Sequence, residues 1–192
     1  MRLFVALTPP QEALAELEDA VAPFRSEWPG LRWASADRWH VTLAFLGQVD
    51  ESRLDGLRER LERAARRHQA LQLQIGRGGA FPSAGRARVL CTHISGESAA
   101  LEGLRGLASS VAAGARRAGA PPPDEGRRYR PHLTLARCRQ PANLKSLVES
   151  LSGFSGQAWD ATEVELILSK TGPQPSYQTI ASWPLRPQQP PT

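Results

Sequence analysis

The sequence contains few of the residues from which disulfide frameworks are built, and it lacks long hydrophobic runs. Its 192 residues include two cysteines, and neither a C-x-x-C pair nor dense cysteine spacing is present. The N-terminal apolar run, residues 3–7, is too short for a signal-peptide core, and no stretch is long enough to span a membrane. We therefore expect a cytoplasmic protein with buried, inert thiols and no membrane partner.

Lysine is nearly absent, although the chain is basic. Two of the 24 basic residues are lysine, so the other 22 are arginine, and the formal net charge is +5. This charge mildly favours a polyanionic partner, but a solvated, salt-bridged surface explains it equally well. Glu59 with Arg63 and Glu62 with Arg66 have favourable i,i+4 spacing. These pairs predict that much of the basic face near residue 60 is self-neutralised, which counts against a nucleic-acid patch there.

Histidine is also scarce, but two of the four histidines lie in the same pattern. His-x-Thr-Leu begins at His40 and again at His132, and each copy reads as a strand because Val, Thr and Leu favour extended pairing. Residues two apart in a strand share a face, so Thr42 lies beside His40 and Thr134 beside His132. Each motif thus offers an imidazole and a hydroxyl on one face, backed by apolar residues on the other.

The order of predicted elements places one motif in each half of the chain. The pattern reads strand, helix, motif strand, helix, hairpin, helix, motif strand, helix and two closing strands, with a Gly-rich loop predicted over residues 76–86 inside the hairpin. This order predicts an internally duplicated α+β protein with one motif per lobe. We expect one domain over residues 1–185 and a disordered Pro/Gln-rich tail over 186–192.

Two histidines facing one cleft suit acid–base chemistry on a phosphate. The ordinary pKa of histidine allows one ring to act as base and the other as acid near neutrality. No nucleophile lies in a strained-turn context, and two histidines far apart in sequence without accompanying carboxylates make a poor metal site. His68 is better explained as a helix C-terminal cap and His93 as a structural histidine. We expect neither a metal nor another cofactor.

The flanks of both motifs carry a family resemblance. His-Val-Thr-Leu-Ala-Phe-Leu-Gly from His40 and Arg-Pro-His-Leu-Thr-Leu-Ala-Arg from Arg130, with the opening strand from Arg2, resemble the 2H phosphoesterase superfamily. Within it, they are similar to the RNA 2′,3′-cyclic phosphodiesterases, also called 2′-5′ RNA ligases. The resemblance extends from residue 2 to about 185. It implies a bilobal fold whose antiparallel sheets line a central cleft, with helices on the outer faces.

The resemblance also implies an activity and residue roles. Members hydrolyse a 2′,3′-cyclic phosphate to a 2′-phosphate without a metal, and some join RNA ends through a 2′-5′ linkage without ATP. By this resemblance His132 is the base that activates water and His40 is the acid that protonates the leaving 3′ oxygen, although the sequence leaves a swap open. Thr42 and Thr134 would bind the non-bridging oxygens. The expected partners are RNA ends or nucleotides with a cyclic phosphate, bound by a monomer.

Three arginines and one aromatic residue complete the predicted site. The family places a basic residue at Arg137, but five positions after His132 is the opposite face of an ideal strand, so a bulge or strand end would have to turn it inward. Strand parity instead favours Arg38 and Arg130, each two residues before a motif histidine, with a surface salt bridge as the alternative. Phe45 corresponds to Arg137 in the first copy and either stacks on a base or packs in the core.

Two other functions fit the same residues. An enzyme with this site could act on a small cyclic nucleotide or a cyclic-phosphate sugar nucleotide. A nucleotide- or RNA-binding module could retain the cleft without turnover, although intact histidines in both motifs argue against it.

Overall fold

The computed structural model describes residues 1–123, 128–170 and 176–188. Within these ranges the chain forms an α+β fold with a curled antiparallel sheet, which confirms the predicted fold class. The strands are β1 (Arg2–Leu7), β2 (Arg32–Trp33), β3 (Val41–Gln48), β4 (Leu71–Phe81), β5 (Ala87–Ser95), β6 (His132–Ala142), β7 (Trp159–Ala161), β8 (Glu163–Lys170) and β9 (Ser176–Pro184).

Four α-helices of the described chain follow the apolar periodicity of the sequence. They are α1 (Gln11–Glu27), α2 (Leu54–Ala65), α3 (Ser98–Arg117) and α4 (Lys145–Ser150). In α3, buried Leu104, Leu107 and Val111 form one stripe at helical spacing, and this helix packs against α2, β3 and β4. The helices therefore bury one face against the sheet and one another.

The sheet arranges the two halves of the chain around the motif strands. Its strand order is β7-β4-β5-β6-β3-β1-β8-β9, with β2 paired to β6. Reading outward from the centre, β6, β5, β4 and β7 on one side correspond to β3, β1, β8 and β9 on the other. The motif strands β3 and β6 are therefore neighbours, and they meet at the pair Val41 and Leu133. This short pairing brings both His-x-Thr-Leu motifs to the middle of one surface.

A β-bulge shifts the facing of side chains in the second motif strand. Thr134 pairs with Cys91 and Ala136 pairs with Leu90, so the residue between them has no partner of its own. A bulge places two residues of one strand opposite one of the other. Strict alternation is thereby offset by one position, and Arg137 lies on the same face as Thr134. The burial pattern agrees, because Ala136 is buried while Arg137 is exposed.

The first motif strand carries the same irregularity at the equivalent position. Thr42 pairs with Ala6 and Ala44 pairs with Val5, so one residue is again left over. Ala44 is buried, and Phe45 shares the cleft face with Thr42. The internal duplication therefore extends beyond the motif residues to the shape of the strand that holds them.

Several boundaries differ from the sequence prediction. The Gly-rich stretch 76–86 was predicted to be a loop, but β4 continues through it to Phe81. Glycine suits this strand because a Cβ at Gly78 would lie 2.6 Å from Leu151 Cβ. Of the predicted tail, residues 186–188 are described, and the Arg186 N–H donates to the His68 carbonyl. Residues 189–192 lie outside the described chain.

No helix within the described ranges combines the length and the apolar character needed to cross a membrane.

Two helical glycines provide a test of the packing between α2 and α3. A Cβ at Gly114 would lie 3.2 Å from the Arg60 carbonyl, whereas a Cβ at Gly56 meets no atom within 4 Å. We expect Gly56→Ala to raise the free energy of unfolding by up to about 1 kcal/mol through helix propensity. Gly114→Ala is expected to lower it by about 1–3 kcal/mol because the two backbones must separate. Urea unfolding of both variants measures the difference, and equal stabilisation would contradict the close approach.

Candidate active site

His40 lies immediately before β3, in an aromatic setting. Its Nδ1 lies 2.8 Å from the Arg38 carbonyl oxygen. The imidazole stacks at a tilt on Phe4, with ring centroids 4.6 Å apart, and meets the edge of Tyr177 at 5.3 Å. Phe4 and Tyr177 are in contact with each other as well, at 5.0 Å. The two aromatic rings, one from β1 and one from β9, therefore fix the plane of the imidazole.

His132 opens β6 and repeats this arrangement. Its Nδ1 lies 2.8 Å from the Arg130 carbonyl oxygen. Phe81, at the end of β4, meets the imidazole at 4.9 Å with an interplanar angle of 66°. Its direct cross-strand neighbour on β5 is His93. Each motif histidine is thus hydrogen-bonded to the main chain two residues earlier and is supported by an aromatic residue from another strand.

The backbone hydrogen bonds fix the chemical form of both rings. A carbonyl oxygen can only accept, so Nδ1 of His40 and of His132 must carry the proton. Nε2 of each ring is then the position that accepts or donates a proton in a reaction. Among the described residues, neither Nε2 makes a hydrogen bond with another protein group. The site therefore offers two imidazole nitrogens of the same tautomer, both free to act on a ligand.

The protein holds both rings in the neutral form. The pKa of His40 is lowered from 6.5 to about 4, chiefly by burial and also by the charges of His132 and Arg137, against the opposing effect of the hydrogen bond to the Arg38 carbonyl. Burial also lowers the pKa of His132, as does Arg137, while the hydrogen bond to the Arg130 carbonyl raises it. A bound anion would favour the imidazolium form of either ring. The arrangement can therefore take up one proton when a phosphate enters.

The two motif threonines lie on the cleft face beside the histidines. Thr42 and Thr134 are half-buried, and within the described chain neither hydroxyl has a protein partner. The Thr42 carbonyl accepts a hydrogen bond of 3.0 Å from the Tyr129 hydroxyl. This bond ties the segment that leads into His132 to the strand of the first motif. Both hydroxyls remain available as donors to a bound oxyanion.

The three predicted arginines occupy different positions. Arg137 lies on the cleft face because of the bulge, and its charge lowers the pKa of both His40 and His132. Arg38 lies in a 3-10 turn, so the strand parity that favoured it does not apply, and its Nε donates to Ser35 Oγ at 3.2 Å. The Arg130 side chain borders a cavity next to His132. The main-chain carbonyls of Arg38 and Arg130 are the groups that contact the catalytic candidates.

A cavity of about 430 Å³ opens beside His132 and continues toward α3. Phe45 lines it and also packs on the small apolar cluster of Phe4 and Ile167, with the Arg2 guanidinium 5.1 Å from its ring centroid. Phe45 therefore packs against buried apolar residues and also borders the cavity, and its stacking on a base stays a prediction. The whole lining is Thr42, Leu43, Ala44, Phe45, Phe81, Ala108, Ser109, Ala112, Arg116, Pro122, Arg128, Tyr129, Arg130 and His132.

Sequence reasoning missed three residues of this surface. His93 was assigned a structural role, but it pairs across the strands with His132, and only a glycine at position 79 leaves room for its ring, since a Cβ there would lie 2.3 Å from His93 Nε2. Phe81 and Tyr177 come from β4 and β9. The sequence contains one signal for His93, because strand alternation places it on the same face as Cys91.

Among the described residues, no three His, Cys, Asp or Glu side chains are grouped to hold a metal ion.

Comparisons with known proteins agree with one another. A family model described as LigT like Phosphoesterase matches residues 7–91 and 96–177. The RNA 2′,3′-cyclic phosphodiesterase of Thermus thermophilus is 31% identical over 193 residues, covering 97% of this chain and 91% of that protein. The crystal structure of TT0787 from Thermus thermophilus superposes with a TM-score of 0.76 at 28% identity, covering 98% of this chain and 100% of that one. E. coli LigT complexed with 3′-AMP superposes with a TM-score of 0.71 at 25% identity, covering 96% and 97%.

The pKa of His40 predicts a pH-dependent loss of stability. Because the unfolded ring binds a proton near pH 6.5 and the folded ring only near pH 4, protonation favours unfolding as the pH falls between these values. The contribution is on the order of 3 kcal/mol. We expect His40→Ala to lose correspondingly less free energy of unfolding between pH 7 and pH 4, measured by urea unfolding. Thr42→Val serves as the control with the wild-type slope, and identical slopes for all three proteins would contradict the buried, neutral ring.

Proposed function

This chain belongs to the LigT-like phosphoesterase family and is therefore a hydrolytic enzyme, and on that premise we propose that it opens the 2′,3′-cyclic phosphate at the end of an RNA to a 2′-phosphate. His40 and His132 act as a general acid–base pair, and no metal takes part. The substrate follows from relatives such as the RNA 2′,3′-cyclic phosphodiesterase of Thermus thermophilus. E. coli LigT, crystallised with 3′-AMP, is a further relative with a nucleotide in its structure.

One observation carries the proposal. Both motif histidines face the same surface with Nδ1 bonded to a carbonyl two residues earlier, at 2.8 Å in each case. Two identical tautomers with free Nε2 atoms are what a reaction needs when one proton is removed and another is supplied on opposite sides of a phosphorus atom. A structural histidine pair has no need for this matched presentation.

The proposed reaction is an in-line displacement at phosphorus. His132 Nε2 accepts a proton from a water molecule as the water oxygen bonds to phosphorus. His40 has taken up a proton at Nε2 on binding of the anionic phosphate; as the bond from phosphorus to O3′ breaks, it donates this proton to the departing oxygen. The product has a 2′-phosphate and a free 3′-hydroxyl. Positioned proton transfer of this kind contributes about 10²–10⁴-fold for each group.

The remaining candidates stabilise the phosphate. The hydroxyls of Thr42 and Thr134 donate to the non-bridging oxygens, which gain charge as the water attacks. Arg137 supplies the permanent positive charge, supported by its effect on the pKa of both histidines. Arg130 borders the cavity beside His132 and is assigned to the neighbouring nucleotide, with Phe45 as a ring against which a base can pack. Arg38 acts through its carbonyl, which orients His40.

The same groups can join two RNA ends. If a 5′-hydroxyl replaces water, His132 removes its proton and the new bond is formed to the phosphorus that remains on O2′. His40 again protonates O3′, so the product is a 2′-5′ linkage, and no nucleotide triphosphate is required. Ligation is therefore a second outcome of one proton-transfer arrangement, in competition with hydrolysis.

Turnover measurements test the histidine pair. We expect His40→Ala and His132→Ala each to lower kcat for an oligoribonucleotide with a 2′,3′-cyclic phosphate end by about 10²–10⁴-fold. His68→Ala is the matched control, since His68 bonds to Ser110 away from the cleft, and it should retain wild-type activity. Activity should also persist in the presence of a chelator. Unimpaired turnover in both cleft variants would reject the site, and complete loss with chelator would reject the metal-free reaction.

A modified leaving group distinguishes the acid from the base. With sulfur in place of O3′, the departing thiolate needs no proton, so the acid becomes dispensable while the base does not. We expect this substrate to restore most of the activity lost in His40→Ala and little of that lost in His132→Ala, measured as the ratio of kcat for the sulfur and oxygen substrates. The reverse pattern would exchange the two roles.

A further inference from the structure

Helices α2 and α3 enclose a groove that the proposed reaction does not use. Its volume is about 310 Å³, and four arginine side chains line it together with small residues. The lining consists of Arg60, Arg63, Ala64, Arg67, Ser109, Ser110, Ala113, Gly114 and Arg117.

The groove carries an excess of positive charge. No aspartate or glutamate of the described chain lines it. Arg63 has one acidic neighbour, Glu59, at 3.8 Å, and both of these side chains are largely exposed. Within the described residues, the guanidinium groups of Arg60, Arg67 and Arg117 have no ion-pair or hydrogen-bond partner. An exposed pair at this distance contributes little, so the four positive charges are available to an anion.

The charge is arranged as a stripe along the groove. Arg60 and Arg63 lie about one turn apart on α2. The helix ends at Ala65, and Arg67 lies in the turn that follows it and also lines the groove. Ser109 and Ala113 on α3 face them across the groove. The short side chains leave space beside the arginines, and an extended anion fits this space better than a single small ion.

The groove adjoins the cavity beside the histidines. Ser109 borders both, and the cavity residue Arg116 directly precedes the groove residue Arg117 along α3. A chain that leaves the cleft past His132 would therefore cross α3 and enter the groove. Phosphate groups spaced along such a chain would meet positive charge throughout, first from Arg130 and Arg128 in the cavity and then from the arginines that line the groove.

We propose that the groove between α2 and α3 binds the phosphodiester backbone of the RNA strand that ends in the cyclic phosphate. This inference rests on the proposed function and specifies its substrate as an oligonucleotide rather than a mononucleotide. The cleft holds the terminal phosphate, and the arginines hold the nucleotides upstream of it.

A comparison of short and long substrates tests the groove. The variant Arg60→Gln/Arg63→Gln/Arg67→Gln keeps polar, helix-compatible side chains and removes three charges. For a ten-nucleotide cyclic-phosphate RNA we expect its KM to rise at least about tenfold, and the slope of log KM against log salt to fall by about 2, at about 0.7 per lost contact. For 2′,3′-cyclic AMP we expect no change in kcat or KM. Arg105→Gln, on the exposed face of α3 outside the groove, is the matched control for both substrates.

The outcomes separate this inference from the proposed function. Equal KM values of the triple variant and the wild type for the long RNA would contradict RNA binding in the groove. An equal loss of kcat/KM on the long RNA and on 2′,3′-cyclic AMP would contradict it as well. Failure of the wild type to hydrolyse either substrate would instead reject the proposed function. In that case, fluorescence anisotropy of the ten-nucleotide RNA still tests whether the groove binds RNA. An unchanged Kd in the triple variant would contradict the inference.

Discussion

The hydrogen bond from each motif histidine to the main chain is the interaction on which the site depends. Nδ1 of His40 and of His132 is committed to a carbonyl two residues earlier, which decides the tautomer, the ring direction and the position of Nε2 together. A side-chain partner would be free to change rotamer, whereas a carbonyl is held by the sheet and turn that contain it. The fold thus supplies orientation to the imidazoles without a carboxylate, and so without a negative charge that would raise their pKa.

Strand periodicity predicts the arrangement of the two motifs but not the facing of Arg137, which entered the predicted site through the family resemblance alone. His-x-Thr-Leu is a local pattern, and strand periodicity alone places Thr42 beside His40 and Thr134 beside His132. The facing of Arg137 depends on a bulge, and a bulge depends on which residues of β5 pair with β6. That information is distributed over two distant segments. The order of the strands in the sheet depends on such long-range pairings too, and the element pattern did not predict it.

Long-range packing likewise explains the residues that were missed or misjudged. His93 becomes part of the surface because β5 lies beside β6 and because glycine at position 79 leaves it space. On α2, the spacing of acidic and basic residues predicted a self-neutralised face, and Arg66 does bond Glu62 at 2.6 Å. Arg60 lies on another side of the same helix and Arg67 in the turn after it, and both line the groove against α3. A pattern within one helix gives no information about which neighbour it faces.

The equivalent bulged positions of the two motif strands hold different residues, Phe45 in β3 and Arg137 in β6, and this difference bears on which ester oxygen leaves. Two matched imidazole–hydroxyl pairs alone would accept a cyclic phosphate in either of two orientations, and either ester oxygen could then leave. The bulged position holds an aromatic ring in one half and a cation in the other. In the proposed reaction this asymmetry would favour one of the two orientations, so a pseudo-symmetric scaffold would distinguish the two nearly equivalent ester oxygens of one five-membered ring.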